Sequence, residues 1–147
     1  MKHSKRKYFS YSQVKSNVHL VQINNVKPGH DVFEEYIKFS DRSARELKGA
    51  MIIDISGRKF LSSKQRTQLS RVINSNNTAI ARNWTSIAYI NTSIIARIVL
   101  KGELWMRPMP VKAKVFTSLD DAVTWSYKIF LAFFYDGASA FIKIQKH

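Results

Sequence analysis

The stretch 50–73, AMIIDISGRKFLSSKQRTQLSRVI, constrains the fold more than any other part of the sequence. It begins with a short apolar run at Met51–Ile53, which stops at Asp54. A turn at Ser56–Gly57 follows, and the serine pair Ser62–Ser63 then opens a helical pattern. In open α/β sheets, functional groups lie in the loops at the carboxyl ends of the strands. The segment therefore predicts an α/β protein with its functional residues after Asp54.

Short apolar strands and amphipathic helices alternate along most of the chain. Strands are predicted at 8–14, 18–23, 50–55, 86–90 and 112–117, with helices beginning near residues 31, 62, 92 and 118. A turn at Ser16–Asn17 joins the first two strands into a hairpin. Strands that alternate with helices form a mainly parallel sheet. We expect the order ββαβαβαβα: a mostly parallel sheet with an antiparallel N-terminal edge hairpin, covered by helices.

Capping residues and periodicity also predict details of the helices. Asp31 and Glu34 have the spacing of a capping box for the first helix. The second helix is expected to start at Ser62 and to continue as far as Arg82. The third is expected over 92–101, ending at Gly102. The segment 103–110 is expected to be a rigid loop. The apolar residues of the third helix are expected to be buried: Ile94, Ile95, Ile98 and Val99.

Composition limits the class of protein. A chain of 147 residues with 45% hydrophobic residues is long enough for one domain with a real core. There is no cysteine, which excludes a disulfide framework, a thiolate metal site and a cysteine nucleophile. The start of the chain lacks the apolar core of a signal peptide, and the apolar segment 129–144 is shorter than a spanning helix. We expect a cytoplasmic protein with a basic tail at 1–7, a domain at 8–130 and an apolar, basic extension at 131–147.

The charge is large and unevenly distributed. The formal net charge is +14 and the pI is about 10.2. Residues 1–30 hold six basic residues and no acid, and residues 62–115 hold nine basic residues and one acid, Glu103. A positive field of this size attracts polyanions and speeds association with acidic partners.

Two phrases of the sequence resemble a known family. MIIDISGRKFLSS and KVFTSLDDAVTW are similar to segments of the STAS domain, the SpoIIAA-like family of bacterial anti-sigma factor antagonists and sulfate-transporter tails. In that family a buried strand ends in an aspartate, here Asp54, and a serine pair opens the next helix, here Ser62–Ser63. A late strand then runs through an acidic turn, here Asp120–Ala122, into the last helix. The resemblance spans roughly residues 8–130.

The resemblance implies a non-enzymatic regulatory module that binds a partner protein through the loop and helix after Asp54. The regulatory loop of the family reads Asp-Ser-Ser-Gly, and its second serine is phosphorylated. Without gaps, those positions fall on residues 62–65, and only Ser63 matches, so the motif is not intact. The predicted partner-binding residues are Asp54, Ser56, Gly57, Ser62, Ser63, Lys64 and Arg71.

Signals for catalysis or metal binding are weak. His3, His19, His30 and His147 are widely spaced, whereas a metal site needs three or four convergent ligands. The sequence contains no G-x-S-x-G elbow, no dinucleotide-binding glycine motif and no Walker loop. We therefore predict no catalytic residues, no metal and no cofactor.

Three alternatives stay open from the residues alone. A basic face could bind nucleic acid or an anionic membrane, and the strand ends could bind a nucleotide or another small anion. An apolar surplus around the segment 103–110 and near the end of the chain predicts a homodimer surface. The predicted basic patch is Lys64, Arg71, Arg82, Arg97 and Lys101, and the predicted dimer surface is Trp105, Phe130, Phe133 and Phe134.

Overall fold

The computed structural model describes residues 8–57 and 61–145, with side chains described up to residue 134. Five strands and five helices occupy these ranges. In chain order they are β1 (Phe9–Lys15), β2 (Val18–Ile23), α1 (His30–Glu46), β3 (Gly49–Asp54), α2 (Ser63–Ser75), α3 (Asn77–Asn83), β4 (Trp84–Ile90), α4 (Ile94–Met106), β5 (Lys112–Phe116) and α5 (Leu119–Gln145).

The strands form one five-stranded sheet in the order β1-β2-β3-β4-β5. β1 pairs with β2 antiparallel, and every other pair is parallel, with Met51 opposite Ile87 at the centre. Each parallel connection advances by one strand in the same direction across the sheet. Because such crossovers are right-handed, they put α1, α2, α3 and α4 on the same face. The predicted hairpin, parallel sheet and central position of β3 are confirmed.

β3 is buried on both faces because helices cover both sides of the sheet. Met51, 1% exposed, packs in a cluster with residues of α1, α2 and α3. Its neighbour Ile52, 0% exposed, packs on the opposite face in a cluster with residues of α5. Alternate side chains of one strand therefore join two separate cores. This explains why the sequence of β3 is apolar throughout.

Small residues line the contact between α5 and the sheet. Ala88 on β4 and Ala122 on α5 are both fully buried in the same cluster. Ser86 and Ser126, on the same two elements, are also 0% exposed. Side chains of this size let a helix approach a sheet closely. A larger residue at Ala88 or Ala122 would overpack the interface.

Polar contacts hold the helices of the other face together. The Gln68 side chain on α2 donates to Glu34 Oε1 on α1 at 2.7 Å. Asn76, between α2 and α3, donates to Asp41 Oδ1 at 3.0 Å. The expected capping box at Asp31 and Glu34 is wrong, since the N-cap of α1 is Gly29 without a side-chain bond and Glu34 bonds to Gln68.

The second helix is shorter than the sequence predicts. It ends at Ser75, and Asn76 separates it from the short helix α3, so Arg82 does not share a helix with Lys64. The Asn76 side chain donates to the Val72 carbonyl oxygen at 2.9 Å, which ends the helical hydrogen-bonding pattern with a side-chain donor.

α4 differs most from the sequence prediction. It continues through Gly102 and includes Glu103–Met106, so the expected helix end and the expected rigid loop at these positions are wrong. None of its residues is buried. The residues expected in the core are exposed instead: Ile94, Ile95, Ile98 and Val99.

We predict that Gly49→Ala destabilises the fold by about 2 kcal/mol or more. Gly49 has φ +120°, and a Cβ there would lie 2.2 Å from the Asn17 carbonyl oxygen in the β1–β2 turn. The matched control is Gly102→Ala, which meets no atom within 4 Å and replaces a helical glycine, so it should stabilise by up to about 1 kcal/mol. Urea unfolding measures both; equal stabilities would contradict the contact at Asn17.

Candidate functional site

The candidate site lies at the edge of the sheet where the parallel strands end. β3 ends at Asp54 and β4 ends at Ile90, and these two residues are paired in the sheet. The next backbone amide, of Ile55, donates to the Ile90 carbonyl oxygen at 2.9 Å. The loops that leave β2, β3 and β4 therefore start side by side, as the order of the strands predicts.

Asp54 shapes the loop after β3. Its Oδ1 accepts a hydrogen bond from the Ser56 backbone N–H at 2.9 Å, which forms a tight turn. At Gly57 this turn passes close to the loop after β2, so that a Cβ would lie 2.7 Å from the Ile23 carbonyl oxygen. The half-buried Asp54 carboxylate thus fixes the path of the backbone.

The serine pair begins α2, as predicted. Ser62 is the N-cap: its Oγ accepts from the Gln65 N–H at 3.1 Å, and the Ser62 N–H donates to Gln65 Oε1 at 3.0 Å. This reciprocal pair is a capping box. Ser63 is the first helical residue, is exposed, and accepts from Arg66 Nη2 at 3.2 Å.

α2 exposes most of its surface. Leu69 is its one buried residue, while Lys64, Arg66 and Arg71 are exposed. The helix carries no acidic residue. Within the described ranges the structure contains one side-chain ion pair, Arg45 with Asp41 on α1, so no ion pair there neutralises α2.

A cleft of about 790 Å³ separates the beginnings of α1 and α2. Lys64, Gln68 and Arg71 line one side of it, and His30 and Glu34 line the other. Ser62 and Ser63 also border it. The structure therefore gathers four of the predicted partner-binding residues around one cleft, whereas Asp54, Ser56 and Gly57 form the turn before it.

A second cleft, of about 880 Å³, lies between α2 and α4 and was not predicted from the sequence. Tyr89 and Asn91, at the end of β4, belong to its lining. Lys27, Arg66 and Glu103 are its charged residues. The available signal was the polar residue Asn91 directly after a buried strand, the same pattern that singled out Asp54.

The five residues of the predicted basic patch lie on three helices. α2 starts at the carboxyl edge of the sheet and α3 ends where β4 begins, so Lys64 and Arg82 lie toward opposite edges. Arg97 was predicted to belong to this exposed patch, but its Nη1 donates to the carbonyl oxygens of Asn91 and Thr92 at 3.0 and 3.2 Å. Its guanidinium group therefore fixes the β4–α4 loop, while Lys101 is exposed.

The residues of the predicted dimer surface lie in both helix layers. Trp105, on α4, is 86% exposed, and Phe133 and Phe134, on α5, are also exposed. Phe130 is half-buried. α4 and α5 cover opposite faces of the sheet, so these residues do not form one continuous helix face.

The buried histidine has a structural role. His19 Nε2 lies 2.9 Å from the Lys48 carbonyl oxygen, which can only accept, so Nε2 carries the proton. The other ring nitrogen, Nδ1, then accepts from the Tyr11 hydroxyl at 2.7 Å. In the part of the chain that the structure describes, no three histidine or carboxylate side chains are grouped to hold a metal ion.

Comparison with known proteins identifies the fold. The structure is similar to the crystal structure of a DUF3478-family protein with a SpoIIAA-like fold from Shewanella loihica PV-4, with a TM-score of 0.62. The chain has a SpoIIAA-like fold. The match covers 80% of this chain and 91% of that protein at 15% sequence identity, so it establishes architecture alone. No family model matches the sequence, and no curated protein sequence is similar enough to serve as a relative.

We predict that Ser62→Ala lowers the free energy of unfolding by about 1 kcal/mol, because it removes half of the capping box. The control is Ser63→Ala, whose exposed hydroxyl bonds, among the described residues, to the Arg66 side chain, and which should change stability by less than about 0.5 kcal/mol. Chemical unfolding of both variants decides this. A larger loss for Ser63→Ala than for Ser62→Ala would contradict the assigned cap.

Proposed function

We propose that this chain is a non-enzymatic, STAS-type regulatory module that binds an acidic partner protein through the loop after Asp54 and through α2. The exposed cationic surface of α2 carries the proposal. Lys64, Arg66 and Arg71 project from a helix that has no acidic residue and one buried side chain. A SpoIIAA-like fold is consistent with a module of this kind.

The surface is held in a defined shape. The capping box fixes the start of α2, and the bond from Gln68 to Glu34 ties the helix to α1. The turn at Asp54 fixes where the connecting loop leaves the sheet. A surface that is already ordered loses little conformational entropy when a partner binds, which favours affinity.

The hydrogen bonds of the polar residues support binding rather than catalysis. The Asp54 carboxylate bonds to its own loop, and the Ser62 hydroxyl bonds to the backbone of α2. A nucleophile needs a base within hydrogen-bonding distance and a third group that orients the base. Asp54 and Ser62 bond instead to backbone amides, so both act as structural residues of a binding loop.

The charge distribution favours an acidic protein. Exposed cations around a cleft attract a negatively charged surface and speed its association. The cleft between α1 and α2 has polar walls that include Gln68 and the carboxylate of Glu34. Mixed polar walls fit the side chains of a protein better than a row of phosphates, and the cations spread over three helices do not follow one continuous track.

Replacing Lys64 and Arg71 together by glutamine should weaken partner binding by about tenfold, with the fold intact. Each exposed charge pair contributes up to about 1 kcal/mol, and tenfold corresponds to about 1.4 kcal/mol. The measurement is recovery of a partner from host extract on the immobilised chain, with its affinity then determined at low and high salt. Binding through shaped contacts should survive the high salt.

The control is Arg42→Gln with Arg82→Gln, which removes the same charge from α1 and α3. This double variant should bind the partner with an affinity within about twofold of the parent's. The two lost charges lie away from the α2 surface, so they contribute only a screened, long-range attraction. Equal losses for both double variants would mean that the partner responds to net charge, and the α2 surface would then not be the binding site.

A further inference from the structure

α4 carries a broad apolar face that points away from its own domain. Successive helical residues are turned by 100°, so the apolar side chains fall on an arc roughly 140° wide. All six are exposed, with Trp105 at 86% and both Ile95 and Met106 at 76%. The apolar face of α4 consists of Ile94, Ile95, Ile98, Val99, Trp105 and Met106.

The opposite side of α4 explains why this face stays outside. Ala96, Leu100 and Leu104 lie on the inner side of the helix and are half-buried. Ala96 and Leu100 line the cleft above Tyr89. The helix thus has two apolar sides, and its own domain uses the one with fewer apolar residues.

The beginning of α4 is fixed to the loop that follows β4. Ser93 caps the helix by accepting from the Ala96 N–H at 3.3 Å. The Arg97 guanidinium group bonds to two carbonyl oxygens of the preceding loop. These bonds fix the first turn of α4 in an orientation that leaves the apolar face outward.

An exposed apolar face of this size requires an explanation. Contiguous apolar patches on soluble monomers rarely exceed a few hundred Å², and larger ones mark sites of interaction. A second copy of the chain, another protein or a lipid surface would each cover it. The charges around the face distinguish these occupants.

The charged residues near the apolar face are mainly basic. Lys101 lies beside one edge of the face on the helical wheel, one turn before Trp105, and Arg107 follows the helix; both are exposed. Glu103, the one acidic residue of α4, is exposed beside the other edge. Residues 62–115, which include α4, hold nine basic residues and one acid. Two copies packed through α4 would bring together two chains that each carry a net charge of +14. A second copy would therefore be repelled by charge, whereas an anionic surface would be attracted to the positively charged chain.

We propose that α4 binds an anionic membrane surface, with its apolar face in the headgroup region and its cations against lipid phosphates. A helix with apolar residues and a tryptophan on one face, bordered by lysine and arginine, binds in the plane of a bilayer interface. No helix among the described residues is long and apolar enough to cross a bilayer. This surface is separate from α2, so it adds a second binding property to the proposed function.

The test measures partition of the full chain to vesicles of phosphatidylcholine alone and of phosphatidylcholine with about one third phosphatidylglycerol. Binding to the anionic vesicles should be at least tenfold stronger, because each basic residue near an anionic surface adds to the attraction. The fluorescence emission of Trp105 should shift to the blue on binding, and Trp105→Phe should lose that shift.

The variant Ile98→Asn with Trp105→Asn should reduce partition to anionic vesicles at least tenfold, since two exposed side chains no longer enter the apolar region. Its thermal unfolding should match the parent, because neither residue is buried. The control is Val32→Ser, which removes an exposed apolar residue from α1 and should leave partition within twofold.

Several results would overturn the proposal. Unchanged partition of the double variant would mean that net charge alone holds the protein on vesicles. Absence of binding to anionic vesicles would refute it directly. If the parent also formed a dimer in sedimentation velocity that the double variant abolished, the face would belong to a second copy. The proposed function is tested separately by partner binding through α2. If the double variant still binds the partner, the proposed function stands whichever of these results is found.

Discussion

Burial of β3 on both of its faces is the constraint on which the rest of the structure depends. Met51 packs against the layer of α1, α2 and α3, and Ile52 packs against α5. A strand buried in this way needs helices on both sides and parallel neighbours that are also apolar. β2 and β4 supply those neighbours, and their registers with β3 bring the loop ends to one edge. The site at this edge exists because β3 is central.

The two helix layers differ in how completely they cover the sheet. Small residues such as Ala88 and Ala122 bring α5 close to its face. On the other face, α1 buries five residues, whereas α2 and α3 bury one each and α4 buries none. The exposed sides of α2 and α4 are chemically different: the first is cationic and polar, and the second is apolar, with Lys101 at one edge and Glu103 at the other. The two proposed binding properties rest on these two different surfaces.

The sheet was predictable from the sequence because its signals are local. The apolar runs at β2 and β3, the turn at Ser16–Asn17 and the glycine that begins β3 indicate strands and their connections without knowledge of distant contacts. The cap at Ser62 was predictable for the same reason, since its partner Gln65 lies three residues away. The partner of Glu34 was not predictable, because Gln68 is distant in sequence and competes with the expected cap.

The direction of α4 was not predictable, for a physical reason. Apolar residues at spacings of three and four indicate an amphipathic helix but do not say which apolar side meets the domain. α4 has two such sides, and the inner one, with Ala96 and Leu100, gives the weaker signal in the sequence. The Asn76 side chain that ends α2 bonds both to the nearby Val72 carbonyl oxygen and to Asp41, which lies far away along the chain. The role of Arg97 was not predictable either, because the sequence does not show that its side chain turns back to bond to the carbonyl oxygens of Asn91 and Thr92.

The most direct measurement for the account is hydroxyl-radical footprinting of the free protein, read by mass spectrometry at single residues. Met51 and Met106 provide an internal comparison, since they have the same chemistry and are 1% and 76% exposed. We expect rapid oxidation of the exposed Met106 and Trp105 and slow oxidation of the buried Met51, at every protein concentration. Equal protection of Met106 and Met51 in the free chain would contradict it, because α4 would then pack its apolar face inward.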